Sequence, residues 1–307
     1  MSEFPPLPYV AGRLLKLKHV GGNLYTQVKI IHVFDITMSP VMVVQFQDGK
    51  AEPQTAVLKV FDRRFGLTRQ RARNPEMLQY TTEAEVAWQD YVRSGKAQPR
   101  LARLEHDFSR GVQTTSDAHE NSNASKEQQK REAMGEDECK IFHDLRLGYH
   151  NEVRAYKQLE SLQGISIPQF MGEITWDGNA HEAPADLDSD YFTFRGFLME
   201  YVEGFPLSDL VYRKPNDNDL WQTMIQRAAD CADEINRLGV INYDCKPNNF
   251  LVTSREDQLV PVMIDFGWSA VVIGGKGNAK SIRDSMAELI ERTSGNRIET
   301  ENHAQIR

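Results

Sequence analysis

Apolar positions alternate in the first third of the chain and recur at helical spacing further on. Val28 to Phe34 (VKIIHVF) and Val41 to Phe46 (VMVVQF) are β-branched runs separated by Asp35–Pro40, and they read as a hairpin. Thr55 to Phe61 (TAVLKVF) reads as a further strand. Alternation there puts Ala56, Leu58 and Val60 on one face and Val57, Lys59 and Phe61 on the other. Leu14, Leu15 and Leu17 suggest a short strand before these. Pro75–Val92 has helical composition, and Ile141 to Leu162 carries a helical stripe closed by Gly164. Phe170–Trp176 and Phe192–Val202 read as strands. Asp217–Leu238 reads as an amphipathic helix capped by Asp217 or Asn218 and stopped by Gly239. Phe250–Val252 and Val260–Ile264 read as two short strands, and Ser281–Arg292 as a final helix.

The segment from Asp107 to Asp137 is rich in Ser, Asn, Gln and Glu and nearly free of large apolar residues, so disorder is expected over about 107–137. Arg63, Arg64, Arg69, Arg71 and Arg73 make a basic cluster just before it, which reads as solvated surface. A net charge of −8 argues against general nucleic-acid binding and against an anionic membrane as partner. No apolar run approaches the ~18 residues of a membrane span. The N-terminus lacks the basic and apolar regions of a secretory signal. The three cysteines, Cys139, Cys231 and Cys245, form no CxxC pair, which fits a reducing compartment. Cytoplasm or nucleus is the expected location.

The chemistry concentrates in Val240–Gly267, VINYDCKPNNFLVTSREDQLVPVMIDFG. Asp244 and Asn249 stand five positions apart with Lys246 and Pro247 between them, and fifteen residues then precede Asp265-Phe266-Gly267. Phosphoryl transfer needs few groups: a carboxylate to orient the hydroxyl, and oxygen donors to hold Mg²⁺ on the phosphates. DFG alone is weak evidence. D-x-K-P-x-N, two short apolar runs and then DFG form a specific combination.

With its element order, this pattern resembles the protein kinase-like superfamily over roughly Val28–Gly267. The resemblance implies an α+β, two-lobed fold: an N-terminal lobe of antiparallel sheet plus one helix, and a small, mostly helical C-terminal lobe. The corresponding organisation is an arm over 1–27, an N-terminal lobe over 28–202 with an insertion over 62–137, a reduced C-terminal lobe over 203–292 and a frayed tail over 293–307. Ala56-Val57-Leu58-Lys59 looks like the third-strand lysine motif, which assigns Lys59 to the nucleotide phosphates. Glu152 is implied as its helix glutamate, with Glu160 as the alternative. Phe197–Gly204 looks like the kinase hinge, with Met199 as gatekeeper and backbone groups of Glu200 and Val202 bonding adenine. Asp244 is implied as the catalytic carboxylate, and Lys246 as the cation that steadies the transferred phosphoryl group. Asn249 and Asp265 are implied as Mg²⁺ ligands. ATP and Mg²⁺ are the implied cofactors, and a protein the implied substrate.

The sequence departs from the family pattern in several places. The usual H-R-D is Asn242-Tyr243-Asp244, which removes the arginine that a phosphorylated activation loop engages and is expected to loosen the loop's packing. Asp35–Pro40 has no glycine where the family has a glycine-rich phosphate loop. Ninety-two residues separate Lys59 from Glu152, mostly the insertion, and forty residues follow Gly267. The reduced C-terminal region resembles RIO-type and lipopolysaccharide-type kinases and short fungal kinase-like proteins. Three functions follow: an active phosphotransferase on Ser/Thr hydroxyls, a nucleotide-binding pseudokinase or scaffold, and a small-molecule kinase.

Overall fold

The computed structural model describes residues 8–36, 39–47, 52–65, 80–110, 125–176 and 186–272. The fold is α+β. The chain divides into two units, the first comprising Met1–Tyr149 and Gly172–Leu198, the second His150–Met171 and Met199–Arg307.

A closed barrel forms from β1 (Leu14–His19), β2 (Tyr25–Val33), β3 (Val41–Phe46), β4 (Gln54–Phe61), β5 (Phe170–Trp176) and β6 (Phe194–Glu200), in the order β1-β2-β3-β4-β6-β5. Strand alternation drives it. Leu15 and Leu17, Val28 and Ile30, Met42 and Val44, and Ala56, Leu58 and Val60 all point into one buried core. The arm expected over 1–27 therefore contains a barrel strand. β1 pairs with β2 along its length and meets β5 at Lys18–Thr175 and His19–Ile174, closing the sheet. Its Leu15/Leu17 alternation is too short to be read with assurance without that pairing.

Three helices belong wholly or in part to the first unit: α1 (Thr82–Arg93), α2 (Ala97–Ser109) and α3 (Lys126–Gln158). Thr81 caps α1, its Oγ1 accepting from the Ala84 N–H at 3.1 Å. Trp88 is fully buried among residues of α1, α2 and α3, with Phe142 and Phe192 against its ring. The expected disorder over 107–137 is corrected at both ends. α2 runs to Ser109 and α3 begins at Lys126, while residues 111–124 lie outside the described residues. Composition misled because the first turns of α3 are held by charge as well as by apolar burial. Arg63 bonds Glu138 at 2.9 Å, Arg100 bonds Glu136 at 2.9 Å, and Lys96 bonds Glu132 at 2.5 Å. Gly135 admits the close crossing with α1: a Cβ there would lie 2.8 Å from Tyr91 Cβ and 2.9 Å from the Ala87 carbonyl oxygen.

In the second unit, β7 (Phe205–Pro206), α4 (Leu210–Arg213) and α5 (Asn218–Arg237) precede β8 (Val240–Asn242), β9 (Phe250–Arg255), β10 (Gln258–Met263) and β11 (Ser269–Val271). The described part of this lobe is thus mixed. The strands form a β10-β9-β7 sheet and a β11–β8 ribbon. Asp217 caps α5 by accepting from the Leu220 N–H at 3.1 Å, and Met224, Ala228, Ala232 and Ile235 form part of its buried face. Gly239 ends the helix with φ +84°, where a Cβ would stand 2.7 Å from the Val272 carbonyl oxygen. The expected helix over Ser281–Arg292 and the tail lie outside the described residues, as do Arg69, Arg71 and Arg73.

Candidate active site

Lys59 stands on β4 in the first unit, opposite Val41 of β3. It belongs to the face that turns away from the barrel core, yet it is only 6% exposed, with its Nζ 5.7 Å from the Phe61 ring centroid. The neighbouring strand makes room for its backbone. Gly196 of β6 lies so close to the Lys59 carbonyl that an added Cβ would overlap the oxygen. The β2–β3 connection, where a glycine loop is absent, includes residues 37–38, which lie outside the described residues.

The remaining candidates belong to the second unit. Pairing of β9 with β10 sets Phe250 against Met263, so the residues just outside that pair, Asn249 and Ile264, come together. The Ile264 N–H donates to the Asn249 carbonyl at 2.9 Å, which delivers Asp265 beside Asn249 along the chain. The Asn249 side-chain amide donates to the Asp244 backbone carbonyl at 2.8 Å and to Asp244 Oδ2 at 3.0 Å. Both partners are acceptors, which fixes the amide nitrogen on the Asp244 side and leaves Oδ1 on the other side of the amide. Lys246 Nζ pairs with Asp244 Oδ2 at 2.8 Å, with the two side chains 50% and 38% exposed.

Asn242 has the opposite of the expected effect. It is buried; its Nδ2 donates to the Asp265 carbonyl at 2.6 Å, and its Oδ1 accepts from the Asp244 N–H at 2.9 Å. One amide therefore spans the two motif segments, joining the backbones of both proposed reaction carboxylates. Histidine can supply one donor and one acceptor too, but asparagine does so from a shorter side chain. The β8–β11 ribbon continues this tie, with Asn242 opposite Ser269 and the Tyr243 N–H donating to the Trp268 carbonyl at 2.8 Å. The Gly267 N–H donates to Asp265 Oδ1 at 2.9 Å, a short turn that orients the carboxylate.

Glu152 is fully buried on α3, and its Oε1 accepts from the Phe266 N–H at 3.4 Å, whereas Glu160 sits exposed in the 3₁₀ turn that follows. Tyr156, one turn along α3 from Glu152, has no role in the sequence beyond the helical stripe. It is fully buried, packs its ring on Phe170 and edge-on to Phe266, and reaches Met199 Sδ at 3.2 Å. Burial first, then the carboxylates of Glu152, Asp265 and Glu200, push its hydroxyl well above the usual tyrosine range. The i,i+4 spacing from Glu152 was the available signal. Cys245 is buried, and burial followed by the Asp244 charge pushes its thiol up to about 12, so it stays protonated and packed at neutral pH.

Glu200 ends β6, and Val202 follows in a stretch without regular structure. The Glu200 N–H is used by the Gln169 carbonyl at 2.8 Å. Among the described residues, no three His, Cys, Asp or Glu side chains gather around a metal-sized point. Asn249 and Asp265 would offer a cation two hard oxygen donors. Among the described residues, no helix is long and apolar enough to cross a membrane.

No family model and no curated protein matches the chain. Its structure is similar, at low identity, to protein kinase domains. A double mutant of the Mycobacterium tuberculosis PknI kinase domain matches with 12% identity and TM-score 0.36, covering 85% of this chain and 63% of that one. Rad53 in complex with AMP-PNP matches with 14% identity and TM-score 0.38, covering 78% of this chain and 39% of that one. WaaP in complex with acyl carrier protein matches with 16% identity and TM-score 0.31, covering 43% and 53%. The chain thus spans less than two thirds of each of these structures. At such scores the likenesses carry no argument about chemistry, which rests on the residues themselves.

Proposed function

We propose that this chain is an ATP- and Mg²⁺-dependent phosphotransferase acting on hydroxyl groups, with Ser/Thr side chains of proteins as the acceptor class. The observation that carries the reading is the bonded cluster around Asp244: Asn249 on its carboxylate and carbonyl, Lys246 on its carboxylate, and Asn242 bridging it to Asp265. Asp244 orients the acceptor hydroxyl and takes its proton late in transfer. Lys246 offsets charge on the moving phosphoryl group. Asn249 and Asp265 offer hard oxygen donors, and a bound Mg²⁺ would neutralise charge on the nucleotide phosphates there. Glu200 and Val202 present backbone groups to adenine. Lys59 is assigned to the phosphates, and Glu152 as its glutamate, by their motifs.

Thermal unfolding with millimolar Mg²⁺·ATP tests the reading, since a ligand of the folded state alone raises the melting temperature. A shift is expected for the wild type and a smaller one for Lys59→Met. No shift for the wild type overturns the nucleotide-binding reading. Slow phosphoryl transfer that disappears in both Asp244→Asn and Asp265→Asn supports catalysis. The glycine-free Asp35–Pro40 segment favours a second reading, a nucleotide-binding module without turnover. Binding without transfer on either a peptide array or a metabolite library would select it, and transfer only to metabolites would move the acceptor class to small molecules.

A further inference from the structure

The proposed base-reading segment has no ladder of its own. Tyr201–Gly204 follow β6 without regular structure, so outside bonds must hold the Glu200 carbonyl and Val202 amide in place. Those bonds come from two sides. The Glu200 N–H donates to the Gln169 carbonyl at 2.8 Å, and the Gln169 N–H donates back to Glu200 Oε2 at 3.0 Å. Arg255, the last residue of β9, donates through Nη2 to Glu200 Oε1 at 3.1 Å and through Nη1 to the Ile165 carbonyl at 3.0 Å. Both carboxylate oxygens are engaged, and one rigid guanidinium fork ties Glu200 to the segment that follows α3. Further on, the Thr253 hydroxyl donates to the Glu203 carbonyl at 2.6 Å, and a Cβ on Gly204 would lie 2.5 Å from the Val252 carbonyl oxygen.

The strand supplying these contacts is itself fixed at both ends. It begins directly after Asn249, and it ends in a two-residue turn, with Arg255 paired to Gln258 across Glu256 and Asp257. Both turn residues have positive φ, 50° and 61°, which is unfavourable for Glu256. A strained turn kept at this place fits a strand end whose position matters.

We propose that Arg255 is a positioning residue for the nucleobase: by clamping Glu200 it fixes the carbonyl that selects adenine over guanine. This rests on the reading that Glu200 and Val202 contact the base. The chemistry is direct. Adenine presents an amino donor where guanine presents a carbonyl oxygen, so a carbonyl held in place attracts the first and repels the second. A carbonyl free to turn aside discriminates less.

The experiment is titration of the full chain with Mg²⁺·ATP and Mg²⁺·GTP, comparing wild type, Arg255→Gln and Arg255→Lys, with melting temperatures for each. The expected result is an ATP Kd raised about fivefold to tenfold in Arg255→Gln. The GTP Kd should change little, so the ATP/GTP preference narrows. Arg255→Lys, which keeps the charge but loses the fork, should recover part of that preference. Because the Arg255–Glu200 pair is partly exposed, the melting temperature should move by no more than about 2 °C. If the wild type binds ATP and Arg255→Gln keeps both affinities, the proposal is overturned while the site reading stands. Equal loss of ATP and GTP binding with a large drop in melting temperature also overturns it, since Arg255 would then be structural only. A wild type that binds neither nucleotide overturns the site reading and the proposal together.

Discussion

Two clusters of charge in this protein use the same residue types for opposite ends. Just after β4 in the first unit, Arg63 lies 4% exposed over the Trp88 ring, bonded to Glu85 of α1 and Glu138 of α3, while Arg64 and Tyr9 bond Asp62. In the second unit, Lys246 and Asp244 pair in the open, each more than a third exposed. The first cluster has exchanged water for protein partners. The second has kept access to water, and so to a ligand. Charged residues alone do not mark a functional site; the proposal for Asp244 rests on a carboxylate left exposed on a tightly bonded backbone.

The largest effect expected from breaking this comparison is in the first unit. Arg63→Ala leaves Glu85 and Glu138 without their guanidinium and should cost about 3–5 kcal/mol of stability, read by urea denaturation. Replacing the whole group, Arg63→Met with Glu85→Gln and Glu138→Leu, should recover much of that loss, because no buried charge is then left without a partner. A cost below about 1 kcal/mol for Arg63→Ala would put the cluster in the same class as an exposed pair. The pH dependence has a definite sign. Burial alone would raise the Glu85 carboxyl, but the Arg63 guanidinium beside it overrides this and holds the group below its ordinary value. Its stabilisation is therefore complete above the unfolded pKa, ~4.3, and is lost as the pH falls through the lowered folded value. Denaturation midpoints at pH 7 and in that acid range should diverge less in Glu85→Gln than in the wild type.

The same contrast explains what the sequence makes legible. β3 and β5 coincide with the expected runs, because alternation and the flanking breakers are local signals. The D-x-K-P-x-N and DFG segments are visible because residue type and spacing are local signals, and the structure joins them through Asn242 and Asn249. Local pattern says little about partners far away in sequence. The ion pairs along Lys126–Glu138 reach back to Lys96 and Arg100 at the start of α2 and to Arg63 just after β4. β8 and β11 are three residues each and exist by pairing with one another across the motif. The bridging role of Asn242 depends on Asp265, twenty-three positions on, so the local H-R-D pattern could register asparagine in place of histidine only as a loss.

A smaller effect sharpens the comparison inside the barrel. Gly196→Ala places a Cβ against the Lys59 carbonyl, 3.1 Å from Ile174 Cδ1 and 3.3 Å from Val60 Cα. The backbone on the Lys59 side has little room to yield, so a cost of about 1–3 kcal/mol is expected. If Lys59 serves the nucleotide, this variant should also lose part of the Mg²⁺·ATP-induced rise in melting temperature, an effect the Arg63 cluster does not predict for itself. Smaller again is Glu256→Gly. It removes the left-handed penalty of the β9–β10 turn and should raise stability by about 1 kcal/mol at most, offset by the freer unfolded chain. A loss of stability would show that the Glu256 side chain, rather than its backbone, holds the turn.

The smallest stability change belongs to Asp244→Asn, although it should remove the most function. The side chain is partly exposed, its backbone N–H remains bonded to Asn242, and its carbonyl still accepts from Asn249. Only the carboxylate charge is lost, and with it the Lys246 pair, so stability should stay within about 0.5 kcal/mol of the wild type. On the proposed function, phosphoryl transfer should fall by about 10²–10⁴-fold, the usual worth of a positioned general base. Equal stability with lost transfer is what separates a charge kept for chemistry from one kept for folding. A destabilisation of several kcal/mol would place Asp244 with Arg63 instead, as part of the scaffold.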